Sequence, residues 1–233
     1  MSTRPTLILI PGLLCDGALW AHQVVALSDI ADVQVADIAD EITMEDLARS
    51  VLDRAPDSFA LAGLSMGGYV AQEIMRQDPG RVTHLALLDT NARADLPEQS
   101  AMRKALMAEA EAGHFDEIPT QLLPKLVNAE HAEDPAIAKV VLQMAERIGV
   151  DGFHNQQTAI LNRIDGRADL AKINCPTLVL CGADDIMTPL AVHQEMVDGV
   201  GANATLVVVP DSGHLSPLEQ PDAVTAAMRT WLS

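Results

Sequence analysis

The sequence predicts an α/β protein with a mostly parallel central sheet of about six strands, flanked by helices and interrupted by a helical cap. Three observations support this prediction. Apolar strand-like segments alternate with helical patterns over residues 1–92, the alternation stops over residues 93–167, and it resumes over residues 168–233. We therefore predict one core, made of residues 1–92 and 168–233, with residues 93–167 as an inserted cap.

Six short segments have the length and composition of strands; Val33–Ile38 alternates apolar and polar residues, and the others are mostly apolar. The six are Thr6–Ile10, Val33–Ile38, Phe59–Leu64, Val82–Leu88, Pro176–Cys181 and Ala204–Val209. The helical patterns that alternate with them are Ala18–Leu27, Thr43–Ala55, Met66–Gln77, Pro189–Val200 and Pro217–Leu232. Strand–helix–strand repeats of this kind imply parallel pairing with right-handed crossovers.

The predicted cap contains helical patterns separated by glycines and prolines. They are Gln99–Ala112, Pro119–Leu126, Asp134–Gly149 and Phe153–Ile164. Because the sheet stops and then resumes, the inserted helices should cover one of its ends. Ligands of parallel α/β sheets bind at the carboxyl ends of the strands, so we expect a pocket between that end and the cap.

The composition limits the possible partners. The chain has 233 residues and a net charge of −18, from 15 Lys and Arg against 33 Asp and Glu. Such a surface repels DNA, RNA and anionic membranes, whose binding depends on neutralising phosphates. Aromatic residues make up only 3%, which predicts an aliphatic core and few platforms for stacking bases. No segment approaches the roughly 20 apolar residues of a membrane span.

The cysteines predict a reducing, cytoplasmic location. Cys15, Cys175 and Cys181 are odd in number and lack CxxC spacing, so they do not form a disulfide framework. Cys15 has no base or cation beside it in sequence, and we interpret it as a small buried apolar residue. The sequence also lacks metal-binding, P-loop and dinucleotide-binding motifs, so we predict no metal and no cofactor.

The candidate nucleophile is Ser65, in the segment Gly63–Gly68, which joins a predicted strand to a predicted helix. A sharp strand-to-helix turn leaves no room for flanking side chains, which explains the glycines. The turn would raise the Ser65 hydroxyl above the sheet at a helix N-terminus, where free N–H groups favour negative charge. The alternative interpretation is a glycine-rich turn with an inert serine.

A serine hydroxyl needs a base to act as a nucleophile, and His214 is the candidate. It follows the last predicted strand directly, in a loop at its carboxyl end. We interpret the other histidines as structural or surface groups, although one in the cap, His154, could line a pocket. They are His22, His84, His114, His131, His154 and His193.

The base needs an orienting acid, and two adjacent aspartates follow the strand Pro176–Cys181. Asp185 fits the pattern G-x-x-D-x-x-x-P within Gly182–Pro189, and Asp184 is the fallback. The candidates occur along the chain in the order Ser, Asp, His.

These segments resemble the α/β-hydrolase fold superfamily over essentially the whole chain. The resemblance rests on Gly63–Gly68, Gly182–Pro189, Ser212–His214 with the following Pro217–Pro221, and the turn Pro11–Trp20. It implies a Ser65–His214–Asp185 triad. It also implies an oxyanion hole made by the backbone N–H groups of Leu13 and Met66.

The chain departs from its relatives in two ways. Pro11 stands where relatives usually carry His before the glycine of the first turn, so the hydrogen bonds of that His are missing. The chain also begins at the strand that relatives count as their third, which leaves about six strands. Neither departure removes a catalytic group.

The resemblance implies hydrolysis of a small carboxylic ester or lactone, and we expect a neutral small-molecule substrate. Ser65 argues against dehalogenases and epoxide hydrolases, which carry Asp at the nucleophile position. C–C hydrolases, perhydrolases, acyltransferases, some lyases of menaquinone synthesis and hormone-receptor-like proteins keep the same residues, so these alternatives stay open. Esters on acyl carrier protein are disfavoured, because carrier and chain are both acidic.

Only a local basic patch would change that expectation. The candidate cations in or near the cap are Arg103, Lys104, Arg147, Arg163 and Arg167. We interpret most of them as solvated helix faces.

Overall fold

The computed structural model describes residues 4–233 and contains one six-stranded sheet. Its strands are β1 (Thr6–Ile10), β2 (Asp32–Val35), β3 (Phe59–Leu64), β4 (Val82–Leu88), β5 (Thr177–Gly182) and β6 (Ala204–Val209). The order is β2-β1-β3-β4-β5-β6, and every pairing is parallel. The predicted sheet is therefore confirmed, with no antiparallel strand in it.

Side chains at alternating positions of the strands lie on opposite faces of the sheet and pack in two separate apolar cores. One face contributes Ile8, Ile10, Leu61, Leu85, Leu87 and Val179. The other face contributes Leu7, Leu9, Ala62, Leu88, Leu178 and Leu180. The period of two follows from strand geometry, and apolar residues on both faces are typical of a sheet covered by helices on both sides. The edge strands β2 and β6 differ from the other strands, because their residues are half-buried or exposed except for the buried Val209.

Helices from the core segments cover both faces. They are α1 (Ala21–Ala26), α2 (Met44–Arg54), α3 (Met66–Gln77), α7 (Leu190–Val200), α8 (Ser216–Glu219) and α9 (Pro221–Trp231). Residues of α2, α3 and α7 pack in the first core, and residues of α9 pack in the second.

Three predicted boundaries were wrong. The predicted helix Ala18–Leu27 is a 3₁₀ turn over Gly17–Trp20 followed by the short α1, and the predicted strand Val33–Ile38 ends at Val35. The predicted closing helix Pro217–Leu232 is divided at Gln220, because Pro221 restricts the residue before it and has no N–H to donate.

Residues 93–167 are helical and contain no strand. The segment forms α4 (Pro97–Glu109), α5 (Ile118–Leu126) and α6 (Pro135–Leu161), with one π turn and two 3₁₀ turns between them. The helix α6 is broken at Gly149, where φ is 69° and ψ is 177°. The helices predicted over Asp134–Gly149 and Phe153–Ile164 therefore join at Gly149, with no gap between them.

These helices share a third, smaller apolar cluster. It contains Leu14, Ala110, Ile118, Leu122, Ala145 and Phe153. Leu14 belongs to the turn after β1, so this cluster fastens the helices to the carboxyl end of the sheet. Across residues 4–233, no helix is both long enough and apolar enough to cross a membrane.

Candidate active site

Ser65 lies in a strained turn between β3 and α3. Its φ is 53° and its ψ is −113°, a backbone conformation that side-chain-bearing residues rarely adopt. A Cβ at Gly63 would overlap the backbone of Gly67, and a Cβ at Gly67 would overlap the carbonyl of Ile10. The glycines are therefore required by close backbone approach, as the sequence predicted.

Ser65, His214 and Asp185 form one chain of hydrogen bonds. Ser65 Oγ lies 2.8 Å from His214 Nε2, and His214 Nδ1 lies 2.8 Å from Asp185 Oδ2. The side chains of His214 and Asp185 are buried, whereas Ser65 is partly exposed to the pocket. Ser65 follows β3, Asp185 follows β5 and His214 follows β6, so the sheet brings together positions as far apart as 149 residues.

The arrangement fixes the protonation pattern of His214. Oδ1 of Asp185 accepts hydrogen bonds from the backbone N–H groups of Met187 and Thr188, and its Oδ2 accepts one from the Thr188 hydroxyl. A carboxylate held this way accepts the Nδ1 proton of His214, which leaves Nε2 free to accept the proton of Ser65.

The pKa values of the pair move in opposite directions. Burial favours the neutral form of Asp185, but the charge and the hydrogen bond of His214 outweigh it and hold the pKa of Asp185 below its usual value. Burial likewise opposes protonation of His214, yet the Asp185 charge and hydrogen bond raise the pKa of His214. The pair is therefore built to stabilise an imidazolium.

Asp184, the fallback acid, is not part of the hydrogen-bond chain that joins Ser65, His214 and Asp185. It is exposed, and its Oδ2 accepts a hydrogen bond from Asn128 at 2.7 Å. The remaining histidines do not contact Ser65 either. His193 is buried and accepts a hydrogen bond from the backbone N–H of Thr90 at 3.1 Å, and His154 is not part of the pocket wall around Ser65.

The turn after β1 lies against Ser65, the candidate nucleophile. A Cβ added to Gly12 would lie 3.4 Å from Ser65 Cβ. Within residues 4–233, neither the Leu13 nor the Met66 backbone N–H donates to a protein acceptor. The neighbouring Leu14, with φ at 58°, donates its N–H to the buried Gln156 of α6 at 2.9 Å. Gln156 thereby holds the turn that presents the Leu13 N–H.

Asp89 is a buried acid that sequence reasoning missed. Its Oδ1 accepts the N–H of Gly182 at 2.8 Å, and its Oδ2 pairs with Ser216 Oγ at 2.5 Å. Burial, reinforced by the charge of Asp185, raises the pKa of Asp89 to about 8. The available signal was its position directly after a buried strand, at the same sheet edge as the triad.

Glu219, a second missed acid, supports the His214 loop. One carboxylate oxygen accepts the N–H groups of Gly213 and Leu215, and the other accepts that of Asn128. The backbone carbonyl of Leu126 also accepts the N–H of His214 at 3.0 Å. The end of α5 and the base are therefore held together.

One buried cluster in the described chain has atoms spaced for a metal ion, formed by Asp89, Cys181 and His193 within 4.8 Å of one another. Its donors are already engaged: both Asp89 oxygens and His193 Nε2 make the hydrogen bonds described above. Burial raises the pKa of the Cys181 thiol, which opposes the thiolate a metal requires. Cys15 is equally inert, because burial raises its pKa to about 12.

A pocket opens over the triad, between the carboxyl end of the sheet and the helices α4, α5 and α6. Apolar side chains form most of its wall, among them Leu13, Met102, Leu106, Leu122 and Met187. A second group of wall residues is polar and consists of Tyr69, Asn91, Gln99, Arg103, Gln157 and Arg163.

The alpha/beta hydrolase family profile matches residues 7–227, so the chain belongs to that family. Among solved structures it is similar to a thermophilic esterase from Thermogutta terrifontis, with 30% identity and a TM-score of 0.89 over 100% of this chain and 90% of the other.

Two further relatives have related activities in their names. The enol-lactonase from Burkholderia xenovorans LB400 has 26% identity and a TM-score of 0.90 over 99% of this chain and 92% of the other. A pimeloyl-[acyl-carrier protein] methyl ester esterase of Pectobacterium atrosepticum is 27% identical over 94% of this chain and 91% of its own length. The chain spans about half, 47%, of the bifunctional biotin-biosynthesis protein of Cellvibrio japonicus that it also matches.

Proposed function

We propose that the protein is a serine hydrolase that cleaves a small carboxylic ester or lactone through an acyl-enzyme. The observation that carries this proposal is the hydrogen-bond chain from Ser65 through His214 to Asp185, which opens onto a pocket. The names of the esterase and enol-lactonase relatives support an ester or lactone as the substrate class.

In the first half of the reaction, Ser65 Oγ attacks the acyl carbon while its proton passes to His214 Nε2. The carbonyl oxygen becomes an oxyanion, which accepts hydrogen bonds from the N–H groups of Leu13 and Met66. Asp185 stabilises the imidazolium. When the tetrahedral intermediate collapses, His214 returns the proton to the leaving alkoxide, which departs as an alcohol or, from a lactone, remains attached to the acyl group.

In the second half, water attacks the acyl-enzyme. His214 takes a proton from the water and gives it to Ser65 as the ester bond to the enzyme breaks. The product is a free carboxylic acid, and the serine is restored. Each oxyanion donor contributes roughly 3 kcal/mol to the lowering of the barrier.

We further propose that residues 93–167 act as a cap. The helices α4, α5 and α6 form one wall of the pocket, and their own apolar cluster includes Leu14 beside the nucleophile turn. A cytoplasmic location stays a prediction; the three free cysteines fit a reducing compartment.

The test combines labelling and turnover. A fluorophosphonate probe should label Ser65, and p-nitrophenyl esters of increasing acyl length, alongside lactones, should report the preferred substrate. The Ser65→Ala variant should lose labelling and roughly 10⁶-fold in kcat.

Ser58→Ala is the matched control, because Ser58 is exposed just before β3, at the opposite end of that strand from Ser65. It should retain full activity and labelling. If folded wild-type protein neither reacts with the probe nor turns over any ester or lactone, the proposal is wrong and a ligand-binding role takes its place.

A further inference from the structure

The polar part of the pocket wall carries more positive than negative charge. Arg103 and Arg163 line the same pocket as Ser65, and no Asp or Glu among residues 4–233 lines it. Behind them, both guanidinium groups share one buried carboxylate, that of Asp95. Arg103 Nε lies 2.7 Å from Asp95 Oδ2, and Arg163 Nη1 lies 2.7 Å from Oδ1. Two cations on one anion leave a net charge of +1 at this wall.

Of the two guanidinium groups, Arg163 is the more completely satisfied. It donates to the carbonyls of Arg93 and Ile160, and its guanidinium lies 4.3 Å from the centre of the Tyr69 ring. Arg103 donates to Asp95 and, through Nη1, to Gln157 Oε1 at 2.9 Å. Within residues 4–233, neither arginine donates a hydrogen bond to a protein acceptor through Nη2. Arg103 is also the more exposed, at 16% against 5%.

Gln157 supplies an independent sign of a missing ligand. The residue is fully buried and lines the pocket, yet its Nε2 has no hydrogen-bond partner among the described residues. An unsatisfied buried donor is costly, and so is the excess positive charge of two partly buried arginines that share the single carboxylate of Asp95. An anion in the pocket would satisfy both groups at once.

We infer that the pocket takes an ester or lactone that carries its own carboxylate, bound by Arg103 and Gln157 while Ser65 attacks the acyl carbon. The inference rests on the proposed function and replaces the neutral substrate expected from the net charge. A carboxylate matches because its single negative charge balances the wall's net +1, whereas a phosphate monoester brings nearly two. Arg103 Nη2 and Gln157 Nε2 supply donors for its two oxygens.

The test compares two esters of equal acyl length. One is mono-p-nitrophenyl glutarate, which ends in a carboxylate, and the other is p-nitrophenyl valerate, which ends in a methyl group. Wild type should prefer the glutarate ester in kcat/KM. Arg103→Gln should lower that preference about tenfold or more, mainly through KM, because a charge-assisted hydrogen bond is lost. Arg103→Lys should restore part of it.

Two further variants serve as a control for charge and as a second test of the site. Arg167→Gln removes the same charge from an exposed position outside the pocket and should leave the preference unchanged. Gln157→Met keeps the Arg103–Asp95 ion pair but removes the free Nε2 donor together with the Oε1 that accepts from Arg103, so it should lower the preference even if Arg103→Gln does not fold. Equal kcat/KM for both esters in wild type, or an equal effect of Arg103→Gln on both, would overturn the inference and leave the proposed function standing.

A binding measurement distinguishes the proposed carboxylate site from the proposed hydrolase activity. Ser65→Ala protein should bind monomethyl glutarate in calorimetry at least about tenfold more tightly than Ser65→Ala with Arg103→Gln. If no ester is turned over but this difference remains, the carboxylate site stands and the hydrolase proposal fails. If glutarate monoester and methyl valerate bind equally, the carboxylate site is wrong.

Discussion

The two walls of the pocket are built differently. On the sheet side, Asp185 and His214 have their polar atoms engaged in hydrogen bonds to one another, to backbone N–H groups or to Ser65. On the helical side, Arg103 and Gln157 both line the pocket, and Gln157 Nε2 has no hydrogen-bond partner among the described residues. Under the proposed function, the sheet side serves the reaction common to all esters, and the helical side selects the substrate.

This comparison predicts which kinetic parameter each wall controls. Substitutions on the sheet side should lower kcat for every substrate, since they remove interactions made in the transition state. Substitutions of Arg103 or Gln157 should raise KM for the anionic substrate only. The following predictions test the sheet side, starting with the largest effect.

Asp185→Asn should lower kcat roughly 10⁴-fold for anionic and neutral esters alike, because an amide no longer stabilises the imidazolium or fixes the tautomer of His214. Steady-state rates on both esters would measure it. Asp184→Asn is the matched control, because the neighbouring Asp184 is exposed and does not contact His214. If Asp184→Asn caused the larger loss, the acid would be misassigned.

The midpoint of the acid limb of the pH–rate profile should lie above pH 6.5, the ordinary pKa of histidine, because Asp185 raises the pKa of His214. The base must be neutral to accept the serine proton, so kcat/KM should fall about tenfold for each pH unit below that pKa. Initial rates on a neutral ester, corrected for spontaneous hydrolysis, would locate the limb. A midpoint below 6.5 would contradict the pairing of His214 with Asp185.

Asp89→Asn should change how stability depends on pH, and the Tm of the variant should differ from that of wild type by a few degrees. The folded pKa of Asp89 is raised from 3.8 to about 8, so its contribution to stability is complete below the unfolded value and is lost as the pH rises toward 8. Asn does not ionise, and the variant should therefore gain stability relative to wild type between those pH values.

Calorimetric melting curves at several pH values would show this gain. The Asn side chain retains an acceptor for Gly182 N–H, so the comparison isolates the charge. Curves that run parallel for the two proteins would show that Asp89 is ionised throughout or plays no part in the pH dependence.

Much of the architecture was predictable because its signals are local. Each of the six strands lies in a short segment with a strand-like apolar pattern, and the observed bounds differ from the predicted ones by a few residues at most. The errors fall where tertiary contacts or single dihedral angles decide, as in the break of α6 at Gly149 and the early end of β2. The site candidates Ser65, Asp185 and His214 were found for the same reason, since each directly follows a strand in a recognisable turn.

The helical wall could not be predicted in this way. Arg103 and Arg163 looked like solvated cations of an acidic protein, and nothing in their neighbouring residues distinguishes them from Arg167. Their partner Asp95 lies in the segment after β4, and its buried side chain pairs with Arg103 of α4 and with Arg163, which follows α6. Asp89 was missed for a related reason, because its hydrogen bonds run to Gly182 and Ser216, far away in sequence.

The sequence by itself determined the parallel sheet, the helical segment within it and the turn that strains Ser65, because apolar periodicity and glycine requirements act over a few neighbouring residues. Only the tertiary structure decided that Asp185 rather than Asp184 contacts His214, that Gln156 holds the Leu14 turn, and that two arginines of a chain with a net charge of −18 line one pocket. Net charge is a sum over the whole surface, whereas the charge that a substrate meets depends on which few side chains the fold brings together.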